Sequence, residues 1–447
     1  MRHKLNRKLA LRAGVLLLII APLAWSQRPP QLTESPMLAA LKRDLATGKP
    51  SALDQFWKTV EQQKTPIIEK IPGDDKHVLA TFLWKDAGET KDVVLDLRAN
   101  GIEPFTDQRS HLQHLSGTDL WYLTQSLPPD AEVLYQFSVN PPDNTLNQTA
   151  MQQTLRPDPL NPNQYPDRFD PLFDPAQSWR TGSIGRMPGV SENPWLTKIS
   201  DVATGSFQEE NVKSAFLKMA NPRRIWVYVS PGTSLQNPNV LILFDGNSTY
   251  QSRIPTTVIL DNLYAAKKIG RTVAIFVDNG GSARNVDMNF NDAFVKFLTD
   301  ELLPQVQQEH KFKADPARTA LGGDSLCGTI AAYAALRRPD VFGEVLAQSG
   351  AFQFNNSNDA DKEEPEWLAR QFAKMPKSNV FFYLEVGLME DRPGGGTTLL
   401  ASNRHLRDVL TAKGYRVHYS EVYSDHDPVH WRRTLPEALI AILGQSH

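Results

Sequence analysis

The sequence predicts an α/β-hydrolase, a mostly parallel sheet with helices on both faces, preceded by a small all-β sandwich. Three observations point there. From Lys213 onward apolar strand-like runs alternate with helical patterns, as in a sheet covered by helices on both sides. Thr319-Ala-Leu-Gly-Gly-Asp-Ser-Leu-Cys-Gly328 joins a short apolar run, a tight turn and a helix start, the setting of a nucleophilic serine. An acid and a histidine then follow two later strands, in the chain order this fold uses.

The elements follow in order. With 447 residues the chain exceeds one ordinary domain. Hydrophobic residues make up 40% and charged residues 22%, which favours packed cores over disorder. The net charge is −2, from 48 basic and 50 acidic residues. No polybasic segment lies beyond the first dozen residues, so nucleic acid is not an expected partner.

Met1 to Gln27 reads as a secretory signal. Arg2, Lys4, Arg7, Lys8 and Arg12 form a positive region, Ala13 to Ala24 is apolar, and Ala24-Trp25-Ser26 offers a small-x-small cleavage site. The apolar run is short for a membrane span, so an exported protein without stable membrane insertion is expected. The single cysteine, Cys327, leaves no internal disulfide.

Residues 28–76 are expected to be largely helical, with Leu38, Leu41 and Leu45 on one face and Leu53, Phe56 and Val60 repeating the spacing. The segment 77–140 changes to short strands, Val78 to Trp84, Val93 to Leu97, Trp121 to Thr124 and Val133 to Val139, and predicts the sandwich. Residues 141–212 are rich in Pro, Asn and Asp and read as an ordered linker. Residues 213–447 form the expected catalytic domain. Its strands are Ile225 to Val229, Val240 to Phe244, Val273 to Val277, Thr319 to Leu321, Glu344 to Ala347, Val380 to Val386 and Val417 to Val422. Its helices include Phe290 to Val306, Leu326 to Arg338, His405 to Lys413 and Trp431 to Leu443.

A serine hydroxyl needs a histidine to remove its proton, and the histidine needs an acid to fix its tautomer. Ser325 is the expected nucleophile, and Cys327, two residues on, falls inside the first helical turn as a small buried residue. After Val380 to Val386 comes Gly387-Leu-Met-Glu390-Asp391, offering two acids. After Val417 to Val422 comes Tyr423-Ser-Asp-His426-Asp-Pro-Val-His430, offering two histidines, of which His426 is preferred because His430 begins the final helix. A competing pattern exists: Gly323-Asp-Ser-Leu326 and Asp427-Pro-Val-His430 spell the signature of GDSL esterases, which would require His430. Three or more α/β strands precede Ser325, whereas in those enzymes the serine follows the first. For the oxyanion, the backbone N–H of Leu326 is one donor, and the turn Leu243-Phe-Asp245-Gly246-Asn247 offers Gly246 or Asn247 as the second.

These residues together resemble the enterochelin (enterobactin) esterase family. In the catalytic half the matching stretches are Phe244-Asp-Gly246 with Gln251-Ser252, the elbow Gly323 to Gly328, and Pro339-Asp-Val-Phe-Gly343 leading to Gln348-Ser-Gly350. His426-Asp427 with Trp431-Arg432 matches the closing motif, and Arg284, Asp287 and Asn291 resemble an Arg-x-x-Glu-Leu-x-x-Asn segment. Gly117-Thr-Asp-Leu-Trp121, Tyr135-Gln-Phe137 and Asp158-Pro-Leu-Asn-Pro162 resemble the family's N-terminal β-domain. The likeness runs roughly from Val78 to Leu443.

The resemblance implies hydrolysis of the ester bonds of a tricatecholate trilactone siderophore, ferric or iron-free, with Ser325 as nucleophile, His426 as base and Glu390 as acid. Such a bulky anionic aromatic ligand calls for cations and flat rings, and Arg284, Trp431 and Arg432 are the expected binding residues. The chain departs from the family at Cys327, where glycine is usual, and at Ser424-Asp425, where two glycines usually precede the histidine. The signal peptide departs from cytoplasmic members and implies periplasmic processing. A feruloyl or carbohydrate esterase of the same fold is an alternative. So is a non-catalytic siderophore-binding homologue, suggested by Cys327 in the elbow. Nothing in the sequence calls for a metal or an organic cofactor.

Overall fold

The computed structural model describes residues 34–142, 150, 153–165, 182–219, 221–356, 364–391 and 396–444. The secretory signal expected over 1–27 lies outside them. Two helices open the described chain, α1 (Pro36–Ala46) and α2 (Ala52–Gln63). Pro36 sits where a helix has no need of its N–H, and the Ser35 side chain accepts from the Leu38 N–H. The helical segment expected as far as 76 ends earlier. Pro66 cannot continue a helix, and β-branched Ile67 and Ile68 open a strand instead.

Among the described residues nine strands build the β-rich region: β1 (Ile67–Ile71), β2 (Asp74–Lys85), β3 (Val93–Asp96), β4 (Gln113–His114), β5 (Leu120–Leu127), β6 (Glu132–Val139), β7 (Leu155–Arg156), β8 (Gln164–Tyr165) and β9 (Gly182–Arg186). One sheet runs β1-β2-β5-β4, the other β3-β6-β9-β8 with β7 beside β6. Phe82, Leu95, Tyr135 and Phe137 fill the core between them, with Phe82 edge-on to Tyr135 at 4.8 Å. The segment expected as a linker over 141–212 therefore supplies strands. β7 and β8 are two residues long, too short for any alternation to show in the sequence.

Among the described residues the catalytic domain carries eight further strands: β10 (Ser206–Val212), β11 (Arg223–Val229), β12 (Asn239–Leu243), β13 (Thr272–Val277), β14 (Thr319–Asp324), β15 (Glu344–Gln348), β16 (Phe381–Gly387) and β17 (Arg416–Val422). Their order is β10-β11-β13-β12-β14-β15-β16-β17, antiparallel at β10/β11 and β11/β13 and parallel thereafter. β12, β13 and β14 are buried along their whole length because helices cover both faces.

Helices α3 (Thr256–Ala265) and α7 (Pro428–Leu443) pack on one face through Ile259, Leu260, Leu435 and Leu439. On the other lie a helical stretch from Asp292 to His310, α4 (Leu326–Arg337), α5 (Trp367–Lys374) and α6 (Leu399–Ala412). Among the described residues no helix is long and apolar enough to cross a membrane.

The two regions meet where the catalytic loops leave the sheet. Met389 and Tyr423 pack against the sandwich core, and Val429 on the first turn of α7 packs with Tyr165 and Ile184. Glu132 of β6 takes Arg186 at 2.6 Å and Arg433 of α7 at 3.3 Å. Arg98, just past β3, reaches Asp425 at 3.6 Å.

Candidate active site

The site forms at the carboxyl ends of β12, β14, β15, β16 and β17, where an open parallel sheet gathers its loops. Three non-glycine residues with positive φ stand there: Asp245 (50°), Ser325 (55°) and Ser349 (53°). Such backbone costs ~1–3 kcal/mol per residue, and its clustering at one edge marks a place where geometry overrides comfort.

Ser325 has φ 55° and ψ −124° between the last residue of β14 and the first of α4. The tight turn is closed by the Ser325 N–H donating to Gln348 O at 3.0 Å and by Ser325 O accepting from Ala351 N at 3.0 Å. A Cβ at position 323 would lie 2.2 Å from Cys327 Cβ, so Gly323 is needed for the turn to close. The Cys327 thiol points away from solvent and is fully buried; burial, with the charges of Asp245 and Asp324 next, pushes its pKa well up. It is an inert part of the packing.

The Leu326 N–H opens α4 and has no partner within the helix, as an oxyanion donor requires. The second expected donor divides. Gly246 donates its N–H to Val277 O at 2.9 Å and is spent in the sheet, which corrects its place among the oxyanion residues. A Cβ on Gly246 would sit 2.7 Å from Phe276, so its role is to let the turn press against β13. Asn247 follows; its side-chain oxygen accepts from Asn279 N at 3.2 Å, which fixes the turn, and its N–H is the candidate second donor that remains.

Glu390, 2% exposed, turns one oxygen to His426 Nδ1 at 2.8 Å. Its other oxygen accepts from Ser349 Oγ at 2.5 Å and from Gly387 N at 2.8 Å. Burial alone would raise this carboxyl, but the His426 hydrogen bond and charge outweigh it and hold Glu390 below its ordinary value. For His426 burial acts downward, and Glu390, then Asp324 and Asp425, more than reverse it, so the imidazole is raised. A carboxylate can only accept, so Nδ1 carries the proton and Nε2 is left with the lone pair that a base needs. No hydrogen bond joins Ser325 Oγ to His426; in substrate-free sites this bond is often long. Asp391 is exposed and accepts from Thr398 instead.

His430 lies elsewhere. It is fully buried, with Nε2 3.3 Å from Glu385, while Asp427 caps α7 by accepting from the N–H groups of Val429 and His430. Asp427-x-x-His430 is thus a helix start rather than a catalytic pair.

The three expected binding residues are placed differently from one another. Arg284 forks onto Asp245, with Nε at 2.9 and 2.8 Å and Nη2 at 2.6 Å, so it braces the oxyanion turn from the side of the elbow. Trp431 is buried, donates to Ser349 Oγ at 3.0 Å, and meets the His426 ring edge-on at 5.0 Å. One turn into α7 it faces the core, so it supports the histidine and offers no face to a ligand. Arg432 lies over the Tyr165 ring at 5.3 Å and lines a cleft of about 960 Å³ between the two regions.

Two functional residues had no assigned role in the sequence. Ser349 holds the free oxygen of Glu390, and its only signal was its place in Gln348-Ser-Gly350. Asp324 is buried beside the serine, where burial and the charge of Asp245 raise it to about 6. Away from the site, Glu210, Glu309 and His310 bring ligand atoms within 4.8 Å of one another, with His310 already paired to Glu210 at 2.7 Å.

A family model described as "Putative esterase" matches residues 193–442, and one described as "Enterochelin esterase, N-terminal" matches residues 79–195. An iron(III) enterobactin esterase of Dickeya dadantii is 27% identical over 418 residues, covering 85% of this chain and 90% of that one. An iron(III) salmochelin esterase of Escherichia coli O6:H1 is 24% identical and covers 91% and 98%. The crystal structure of an enterobactin esterase from Shigella flexneri in the presence of enterobactin superposes with a TM-score of 0.67 at 21% identity, covering 86% and 97%. At that identity the superposition speaks for the fold.

Proposed function

The chain belongs to the enterochelin esterase family, and from that premise we propose that it is a serine esterase hydrolysing the ester bonds of a tricatecholate trilactone siderophore. The observation that carries the reading is the buried Glu390 holding His426 Nδ1 at 2.8 Å beside a serine on a positive-φ elbow. Ser325 Oγ attacks a lactone carbonyl while His426 Nε2 takes its proton. The N–H groups of Leu326 and Asn247 receive the oxyanion. Collapse expels the serine-side alkoxide, which takes the proton from His426, and water then hydrolyses the acyl-enzyme by the same route. The first cycle opens the ring, and two more release monomers that hold iron less tightly as separate ligands than as one chelate.

The cleft of about 960 Å³ suits the bulk of the ligand. Ser325, Glu390 and His426 are not part of its lining, but the turn bearing Asn247 runs on into Gln251 and Ser252, which are. Lys198, Arg253 and Arg432 there add positive charge for an anionic ligand, whereas Arg186 is paired with Glu132, and Glu192 also lines the cleft. The test is chromatography with mass detection of a catecholate trilactone incubated with wild type and with Ser325→Ala. Linear trimer, dimer and monomer are expected in that order for wild type, and ~10⁶-fold less for the variant. Wild-type binding without cleavage overturns the reading.

We also propose that the protein is exported to the periplasm. The charged, apolar and small-x-small run before Gln27 supports it. Cell fractionation with intact mass checks it, with loss of the segment near Ser26 expected and a full-length cytoplasmic species against it.

A further inference from the structure

The motif Asp427-Pro-Val-His430 leaves a buried histidine that the hydrolytic mechanism does not use. Both of its ring nitrogens face acceptors. Nδ1 lies 3.0 Å from the backbone oxygen of Asp425, the residue immediately before His426, and Nε2 lies 3.3 Å from Glu385 Oε1. A carbonyl can only accept, so the Nδ1 proton is directed at the histidine loop.

Glu385 is anchored in its turn. Its Oε1 accepts from Thr434 Oγ1 at 2.6 Å and from Gln348 Nε2 at 3.3 Å. Gln348 also receives the Ser325 N–H on its backbone oxygen, and it directly precedes Ser349, the partner of Glu390. Glu385 itself ends two residues before Gly387, whose N–H binds Glu390. One buried network therefore reaches the serine turn, the acid loop and the histidine loop. The outer side of the same loop is tied to the β-rich region, where Arg98 meets the Asp425 carboxylate.

We propose that His430, held by Glu385, is a positioning residue for the esterase reaction: its Nδ1–H fixes the Asp425 carbonyl and so sets where the His426 ring stands over Ser325. This rests on His426 being the base of the proposed esterase. Loss of the bond lets the loop drift, and a displacement near 1 Å at a catalytic group lowers turnover by ~10- to 100-fold. Substrate contacts are untouched, so KM holds.

The test uses three variants of the full chain on a p-nitrophenyl ester and on the trilactone. His430→Asn places an amide N–H where Nδ1 stood and keeps the loop bond. His430→Gln places it near the Nε2 position, keeping Glu385 and losing the loop. His430→Leu keeps neither. The expected result is a fall in kcat of ~10- to 100-fold for Gln and Leu, with KM within about twofold and kcat for Asn within a few-fold of wild type. Equal loss in Asn and Gln, or wild-type kcat in Leu, overturns the proposal. Should the Leu variant not fold, by its melting transition, the Asn and Gln pair decides alone. Wild-type turnover in the same assays separates failure of this assignment from failure of the esterase reading, which predicts that wild type cleaves.

Discussion

Two histidine–carboxylate pairs stand at the carboxyl edge of the catalytic sheet, Glu390 with His426 and Glu385 with His430. Their members are close in sequence and alike in chemistry, yet they do different things. His426 is 28% exposed and has only one ring nitrogen against the protein, so the other faces the reaction. His430 is fully buried; its Nδ1 is hydrogen-bonded to Asp425 O and its Nε2 lies 3.3 Å from the Glu385 carboxylate, without a well-aligned hydrogen bond. A base must keep a lone pair for substrate, and a strut must not. The contrast teaches that the number of acceptors around a ring, more than the pairing itself, separates a catalytic histidine from a structural one.

The sharpest way to break this contrast is at the acids. Glu390→Gln should lower kcat by ~10³- to 10⁴-fold, because the amide can favour the wrong His426 tautomer. Glu385→Gln should stay within ~10- to 100-fold. Steady-state kinetics on one ester decides, and equal losses would erase the distinction.

Stability should order the pairs the other way. His430→Ala empties a fully enclosed site and removes the ring beside Glu385, which keeps its Thr434 and Gln348 donors, a loss of ~2–5 kcal/mol. His426→Ala leaves Glu390 its Ser349 and Gly387 donors and vacates a site 28% exposed that water can enter, so it should cost clearly less. Urea unfolding of both variants measures the difference.

The smallest effect is on pH. His426 must be neutral to act, and its pKa is raised above the ordinary 6.5, so kcat/KM should fall as pH drops through a value above 6.5. Asp324 is one of the charges that raise it. Asp324→Asn should therefore move this acid limb to lower pH. A limb that stays in place or moves up would remove Asp324 from the electrostatics of the base.

How much of this was legible in the sequence follows from where each residue gets its partners. β12 to β15 announced themselves because burial on both faces makes a strand a continuous apolar run. β10 did not, since as an exposed edge strand, Ser-Phe-Gln-Glu-Glu-Asn-Val, it carries no such run. Ser325, Glu390 and His426 could be named from loops that follow strands in chain order.

Other roles depend on register across strands. Gln348 pairs with Asp324 on one side and Glu385 on the other, which brings Ser349 to Glu390. That Gly246 spends its N–H on Val277 follows from how β12 lies beside β13. Trp431 read as a ligand platform because the phase of α7 was open. With Pro428 as the first helical residue, position 431 turns inward.

The buried thiol two residues beyond the nucleophile has a practical consequence. It is the chain's single cysteine and is fully enclosed by the elbow helix and the sheet. A thiol reagent can reach it only when α4 lifts away, so the rate of labelling is a clock for openings of the serine turn. Without denaturant that clock should run slowly, and a tightly bound siderophore that favours the closed site should slow it further. The protein thus carries its own reporter of how often its nucleophile comes undone.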